Sequence, residues 1–245
     1  MQFKERSYIS LQPFTISPEI VTLENIRSAF AKMNYISTFM NSFLVLLLSC
    51  LIFIVVGSMT AFGIYIADHK VFNRLYVIFV SLIALPFQAA MVPLVSLLRG
   101  LHLADSFLGL ALIYSAMFMP FIVFIYTGFM RSLPQELMES ARIDGCSYFQ
   151  VYVHIYMPLL KTVTGIVLVL RGVYVWNDLQ VPLIVINDPA RQTLQQRLYV
   201  FAQSRIGNFD LVFAGALLVC LPMVVLFLLM QKSFIKGVMA GSVKG

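Results

Sequence analysis

Three histidines, three cysteines and eleven carboxylates are the residues in this sequence equipped to hold a metal, activate a nucleophile or move a proton. Their spacing supports none of these tasks. His69, His102 and His154 fall in three separate loops, and no HxxxH or CxxC pair supplies a ligand set for a metal. Cys50, Cys146 and Cys220 are far apart, two of them in apolar runs, and make neither a disulfide framework nor a metal site. The acids are Glu5, Glu19, Glu24, Asp68, Asp105, Glu136, Glu139, Asp144, Asp178, Asp188 and Asp210, too scattered for most enzyme chemistry. No GxSxG elbow is present. The stretch Gly237 to Gly245 has the glycines of a phosphate loop, but the G-x4-G-K-S/T spacing is absent and no strand precedes it. Ala141-Arg142-Ile143-Asp144-Gly145 shares letters with phosphatidyltransferase motifs, yet the further metal-holding aspartates those enzymes need do not lie nearby. The expectation is a chain with no catalytic residue, no metal site and no cofactor.

One polar set falls inside an apolar run. Arg171 and Asp178 are seven residues apart, about two helical turns, and so share a face of a continuous helix. With Trp176 and Asn177 they offer an aromatic surface beside amide and charged groups, the combination that holds hydroxylated ligands. Two readings stand side by side: Arg171, Trp176, Asn177 and Asp178 line a polar passage, or the charges sit near the span's ends or pair with neighbours. An alternating series of acids, which proton coupling across a membrane would need, is missing.

The elements that must position these residues are membrane spans. Hydrophobic residues make up 60% of the chain and charged residues only 11%, with mean hydropathy +0.88, whereas soluble domains carry about 25% charged residues. Five apolar stretches of spanning length are expected at about 38–66, 75–98, 107–130, 162–186 and 211–231, against the roughly 20 residues that cross a bilayer. Pro86 and Pro93 should kink the second, and Pro120 lies within the third. Buried prolines of this kind need neighbouring helices to resatisfy the backbone, so the fold class expected is all-α, a polytopic transmembrane helix bundle. Residues 1–37 form an external amphipathic segment, with an interfacial helix near 22–32 presenting Leu23, Ile26 and Phe30, and no signal-peptide pattern. The transmembrane domain is expected over 38–231, and a cytoplasmic tail over 232–245.

Loop charges set the orientation. The loops 67–74, 131–161 and 232–245 hold Lys70, Arg74, Arg131, Arg142, Lys161, Lys232, Lys236 and Lys244, eight cations against the four of Arg99, Arg191, Arg197 and Arg205 opposite. The first set is therefore expected to be cytoplasmic. The net charge of +6 follows from such loops and does not point to nucleic acid. The start of the chain then falls outside.

The 131–161 loop is too long for a plain connection, which usually runs about 4–6 residues. It reads as two short helices and a turn. Ser132 with Gln135, and Pro134 between them, match a capping box, and Ser147 with Gln150 match a second. Gly145 stands where a left-handed residue ends the first helix, and Pro158 limits the second. Leu133, Leu137, Ala141 and Met138 follow helical spacing in the first helix; Phe149, Tyr152, Val153 and Tyr156 are expected on one face of the second. A hydrophilic helix-turn-helix held between spans is a docking handle for another protein.

These residues carry a resemblance. Glu139-Ser140-Ala141-Arg142-Ile143-Asp144-Gly145, continuing to Pro158-Leu159-Leu160-Lys161, resembles the E-A-A-x-x-D-G…P-L signature of bacterial ABC importer permeases, with Ser140 in place of the usual second alanine. Trp176-Asn177-Asp178 with Pro182-Leu183, Leu103-Ala104-Asp105-Ser106, and the ending from Gln231-Lys232 to Gly245 look like the carbohydrate, maltose-type branch, so the likeness covers the whole chain. The resemblance implies a transport subunit without chemistry of its own in the bacterial inner membrane. By similarity Glu139, Ser140, Ala141, Asp144, Gly145 and Pro158 belong to the coupling loop that seats in a cytoplasmic ABC ATPase dimer. The implied partners are that ATPase, a second homologous permease, an extracellular or periplasmic solute-binding protein, a sugar and the lipid bilayer. The family usually has six spans, and Phe3-Lys4-Glu5-Arg6-Ser7 resembles the residues after its first one, so the given start is expected to lie just past a first span. The alternative from another class is a self-sufficient secondary carrier or channel for a polar solute.

Overall fold

Leu85 precedes a proline, and its backbone is extended (φ −77°, ψ 133°), as the clash with a proline ring requires. That single residue reshapes the second expected span. In the computed structural model, which describes residues 23–67, 69–204 and 209–242 with side chains through 225 and at Leu228, the stretch 75–98 is not one kinked helix. Helix α3 (Lys70–Ser81, prolonged by a 3-10 turn at Leu82–Ala84) and α4 (Gln88–Gly100) meet at 106°. Pro93 is carried inside α4, so only one of the two prolines breaks the stretch.

All regular structure among the described residues is helical. In chain order there are α1 (Glu24–Lys32), α2 (Tyr35–Ala67), the α3–α4 pair, α5 (Phe107–Arg131), α6 (Glu136–Ile143), α7 (Tyr148–Leu159), α8 (Lys161–Asn177), α9 (Gln180–Val185), α10 (Leu194–Ser204) and α11 (Phe209–Ser242). Helices α2 and α5 are long and apolar enough to cross a membrane. Counting the bent pairs α3–α4 and α7–α8 as spans gives up to four among the described residues. The apolar helix Phe209–Val225 lies within α11, whose backbone stays helical past residue 231, beyond the expected end of the fifth span. The fourth expected stretch, 162–186, is divided: α8 stops at Asn177 and α9 begins at Gln180. The structure divides into two compact units, residues 45–175 and residues 1–44 with 176–245.

In the 45–175 unit the second half of α2 packs along α5. Ser106 caps α5 by accepting the Gly109 N–H at 2.9 Å. Leu110, Tyr114, Ile122, Val123, Tyr126 and Met130 along α5 are fully buried. Phe53 of α2 meets Phe118 of α5 edge-on, with centroids 6.0 Å apart. The ladder of α2 is interrupted by a π turn at Phe53–Gly57, and Gly57 is the closest approach: a Cβ there would stand 2.5 Å from Ile122 Cγ2. Because Ile122 is β-branched and fully buried, it has little room to yield. Gly57→Ala is therefore expected to destabilise the fold by about 1–3 kcal/mol, read as a lower thermal midpoint in detergent. An unchanged midpoint would show that the helices separate freely.

In the other unit, α1 packs on α11 through Ala29 and Met33, both fully buried, and a Cβ on Gly215 would lie 2.9 Å from Met33 Sδ. Leu23 (67% exposed) and Phe30 (38%) point away from that contact. The helix expected near 22–32 is present as α1, with Phe30 and the preceding Leu23 exposed and Ile26 half-buried. Residues 1–22, including Phe3–Ser7, lie outside the described residues.

Candidate functional site

The turn at Gly145 organises the handle. Gly145 has φ +81°, a conformation costly for any residue with a Cβ. Its N–H donates to the Arg142 carbonyl at 3.2 Å, and the Cys146 N–H donates to the Ala141 carbonyl at 3.0 Å. These two bonds form a Schellman motif, which satisfies carbonyls that the end of α6 leaves open. Arg142 clamps the same turn from outside: its guanidinium donates to the Cys146 carbonyl at 2.7 Å and lies 4.3 Å from the centroid of the Tyr148 ring. The next helix starts on the expected capping box. Ser147 Oγ accepts the Gln150 N–H at 3.3 Å, and Gln150 Oε1 accepts the Ser147 N–H at 2.8 Å.

The first expected box does not form. The Ser132 hydroxyl donates back to the Phe129 carbonyl at 2.7 Å and ends α5, while α6 starts at Glu136 after Gln135 with no side-chain cap. Ser132 has helical backbone angles (φ −86°, ψ −9°), whereas a capping serine needs extended ones. The second expected face also splits. Tyr152 and Tyr156 are buried (6% and 0% exposed), but Phe149 and Val153 are exposed (65% and 38%). A π turn at Tyr152–Tyr156 rotates the face away from the regular helical register.

The structure brings Glu139, Ser140, Ala141, Asp144 and Gly145 together on one turn and its preceding helix. Glu139, Ser140, Asp144 and Gly145 are exposed and Ala141 is buried. The Ser140 hydroxyl is folded onto its own helix, donating to the Glu136 carbonyl at 2.7 Å, so the departure from alanine adds no outward donor. Ile143 and Phe149 are exposed (85% and 65%), as are Glu136, Glu139, Arg142 and Asp144, so the helices on either side of the turn expose apolar and charged side chains. Pro158 stands apart, two residues before α7 turns through 69° into α8. There it lines an open groove of about 410 Å³ with Ile54, Val153, Met157, Lys161, Thr164, Gly165 and Leu168.

Arg171, Trp176, Asn177 and Asp178 are not one helical face, because α8 ends at Asn177. Asp178 instead accepts the backbone N–H groups of Gln180 (3.2 Å) and Val181 (3.1 Å), opening α9. In the 45–175 unit the Arg171 guanidinium stacks over Phe121 (3.7 Å) and Phe118 (4.9 Å), and its buried Nε has no hydrogen-bond partner among the described residues. Trp176 is buried edge-on to Phe39, with centroids 5.5 Å apart, and Asn177 accepts from Gln195 Nε2 at 3.3 Å.

Sequence reasoning missed the residues that fix the segment after Asp178. Asn41 Nδ2 donates to the carbonyls of Ala190 (2.9 Å) and Gln192 (3.0 Å), the Leu194 N–H donates to Ser42 Oγ (2.7 Å), and Gln196 Nε2 donates to the Ile186 carbonyl (2.8 Å). Polar side chains at the start of an apolar span were the available signal.

A family model described as binding-protein-dependent transport system inner membrane component matches residues 54–239. The melibiose/raffinose/stachyose import permease protein MelC of Bacillus subtilis (strain 168) is 34% identical over 231 residues, covering 94% of this chain and 84% of that protein. The arabinooligosaccharides transport system permease protein AraQ of the same organism is 32% identical, covering 94% and 82%. A probable starch degradation products transport system permease protein, AmyC of Thermoanaerobacterium thermosulfurigenes, is 33% identical over 93% of this chain and 82% of its own. Among solved structures, a chain of a bacterial ABC transporter involved in the import of the acidic polysaccharide alginate superposes with a TM-score of 0.75 at 15% identity, covering 95% of this chain and 87% of that one. That likeness concerns the fold.

Proposed function

The chain belongs to the binding-protein-dependent transport system inner membrane component family, and on that premise we propose that it is a multi-pass permease subunit of an ATP-driven oligosaccharide importer. It forms half of a translocation path in the bacterial cytoplasmic membrane, beside a second homologous permease. A cytoplasmic ABC ATPase dimer hydrolyses the nucleotide, and an external solute-binding protein delivers the sugar. The relatives named for melibiose, raffinose and stachyose, for arabinooligosaccharides and for starch degradation products support the substrate class.

The observation that carries the reading is the exposed turn at 139–145, closed by the Gly145 and Cys146 N–H bonds and exposing Glu139, Ile143 and Asp144. Its mechanism is rigid-body transmission: closure of the ATPase pair displaces the 131–161 loop, and the spans attached to it reorient as bodies. Within this reading Glu139, Ser140, Ala141, Asp144 and Gly145 form the docking turn, with Pro158 at the bend behind it. Arg171, Trp176, Asn177 and Asp178 contribute to the path. Residues 38–231 are the membrane domain, with 1–37 outside and 232–245 in the cytoplasm.

Purification of the chain in mild detergent from its own cells tests this directly. An ABC ATPase and a second permease should come with it, and reconstitution of that complex with the binding protein should give sugar uptake that requires ATP. Solute flux through this chain alone in liposomes, without ATP, would replace the reading by a self-sufficient carrier.

A further inference from the structure

Two π turns in the 45–175 unit are tied by one hydrogen bond. Ser58 closes the turn at Phe53–Gly57 in α2, and Tyr152 opens the turn at Tyr152–Tyr156 in α7; their hydroxyl oxygens are 2.6 Å apart. Both residues are buried, Ser58 1% and Tyr152 6% exposed. Ser58 gives its one proton to the Ile54 carbonyl of its own π turn, so the proton in the shared contact is the phenol's: Tyr152 donates to Ser58 Oγ. The Phe62 ring lies beside both tyrosines, with centroids 5.3 Å from Tyr152 and 5.1 Å from Tyr156. A second phenol contact completes the joint, Tyr156 donating to the Tyr65 oxygen at 3.2 Å.

The spacing fits a strut. Ser58, Phe62 and Tyr65 are i, i+4 and i+7 on α2, and Tyr152 and Tyr156 are i and i+4 on α7. The buried face of α7 is thus fixed to the first long helix while Phe149 stays exposed at the docking tip. A π turn puts the backbone ladder out of register, so it is a place where a helix bends under load. Rings alone would fill this volume, and the hydroxyls add direction to it.

We propose that Tyr152 and Ser58, supported by Tyr156 and Tyr65, are positioning residues that carry displacement of the handle into the first long helix, making each turnover of ATP move the path. This rests on the reading of 131–161 as the ATPase-docking loop. The test uses the whole transporter in proteoliposomes, measuring sugar imported per ATP hydrolysed. Tyr152→Phe keeps the ring and removes the proton donor. It should leave ATPase copurification at the wild-type level and lower the ratio by roughly fivefold, the factor one buried hydrogen bond supplies. Ser58→Ala should do the same, and the double variant should be no worse than either single one, since both remove one bond. A wild-type ratio in either variant, or losses that add in the double, overturns the proposal. Should Tyr152→Phe fail to accumulate, Ser58→Ala decides by the same ratio. Failure of the docking reading is separate: the wild-type chain would then purify without an ATPase.

Discussion

Gly145→Pro is expected to abolish ATP-dependent sugar uptake while the chain still inserts in the membrane. Gly145 has φ +81°, and proline is fixed near −65°, so the substitution cannot be housed without remaking the turn. It also removes the N–H that donates to the Arg142 carbonyl, one of the two bonds of the Schellman motif. The cost exceeds about 3 kcal/mol, more than a short exposed turn can absorb in place. The Cys146 N–H would then swing off the Ala141 carbonyl, and Arg142 would lose its hold on Cys146 and Tyr148. Gly145→Ala is the graded control: its Cβ would meet nothing within 4 Å, so only the left-handed backbone, about 1–2 kcal/mol, is charged against it. It should retain partial uptake.

Asp144→Lys separates docking from folding. Asp144 is exposed with helical φ (−71°), and a lysine at the end of α6 is favoured by the helix dipole, so the turn itself should survive. Loss of ATPase copurification in this variant would therefore come from the surface and not from the fold. Retained uptake in Asp144→Lys would count decisively against the docking role of this turn.

The handle was legible because its determinants are local. Gly145, Ser147 and Gln150 act within a few residues of themselves, and the structure bears out both the left-handed turn and the capping box. The same local pattern misled at Ser132 and Gln135, where the serine hydroxyl found the carbonyl of the preceding helix first. The shared face of Arg171 and Asp178 assumed a helix that continues past Asn177, and the backbone donors of α9 claim Asp178 instead. Neither π turn has a sequence signature, so the division of Phe149 from Tyr152 and the Tyr152–Ser58 bond were invisible. The all-α membrane class was legible from hydropathy alone. The break at Pro86 was legible in place but not in size, because a proline in an apolar run marks a kink without saying whether the helix recovers.

Asn41→Leu is expected to be the most damaging single change near the N-terminal end of the first long helix. Asn41 joins two segments about 150 residues apart, and its amide is the donor for both Ala190 and Gln192 carbonyls. Leucine fills nearly the same volume, so no cavity forms and the effect isolates the hydrogen bonds. Ala190 is exposed, and water can replace its lost donor; Gln192 is buried at 8% exposure, and its carbonyl would be left unpaired. An orphaned buried acceptor costs about 1–3 kcal/mol and the re-solvated bond up to about 1 more, roughly 1–4 kcal/mol together. For a chain of this length that corresponds to a thermal midpoint lowered by about 2–16 °C, measurable by denaturation in detergent. Ser42→Ala, which orphans the Leu194 N–H at the start of α10, should lower it by a smaller step in the same direction. Because the pinned segment follows Asp178 and lies far in sequence from the handle, ATPase copurification should be unchanged while uptake falls. A midpoint within a degree of wild type would mean that the segment holds its course without Asn41, through Ser42 and Gln196 alone.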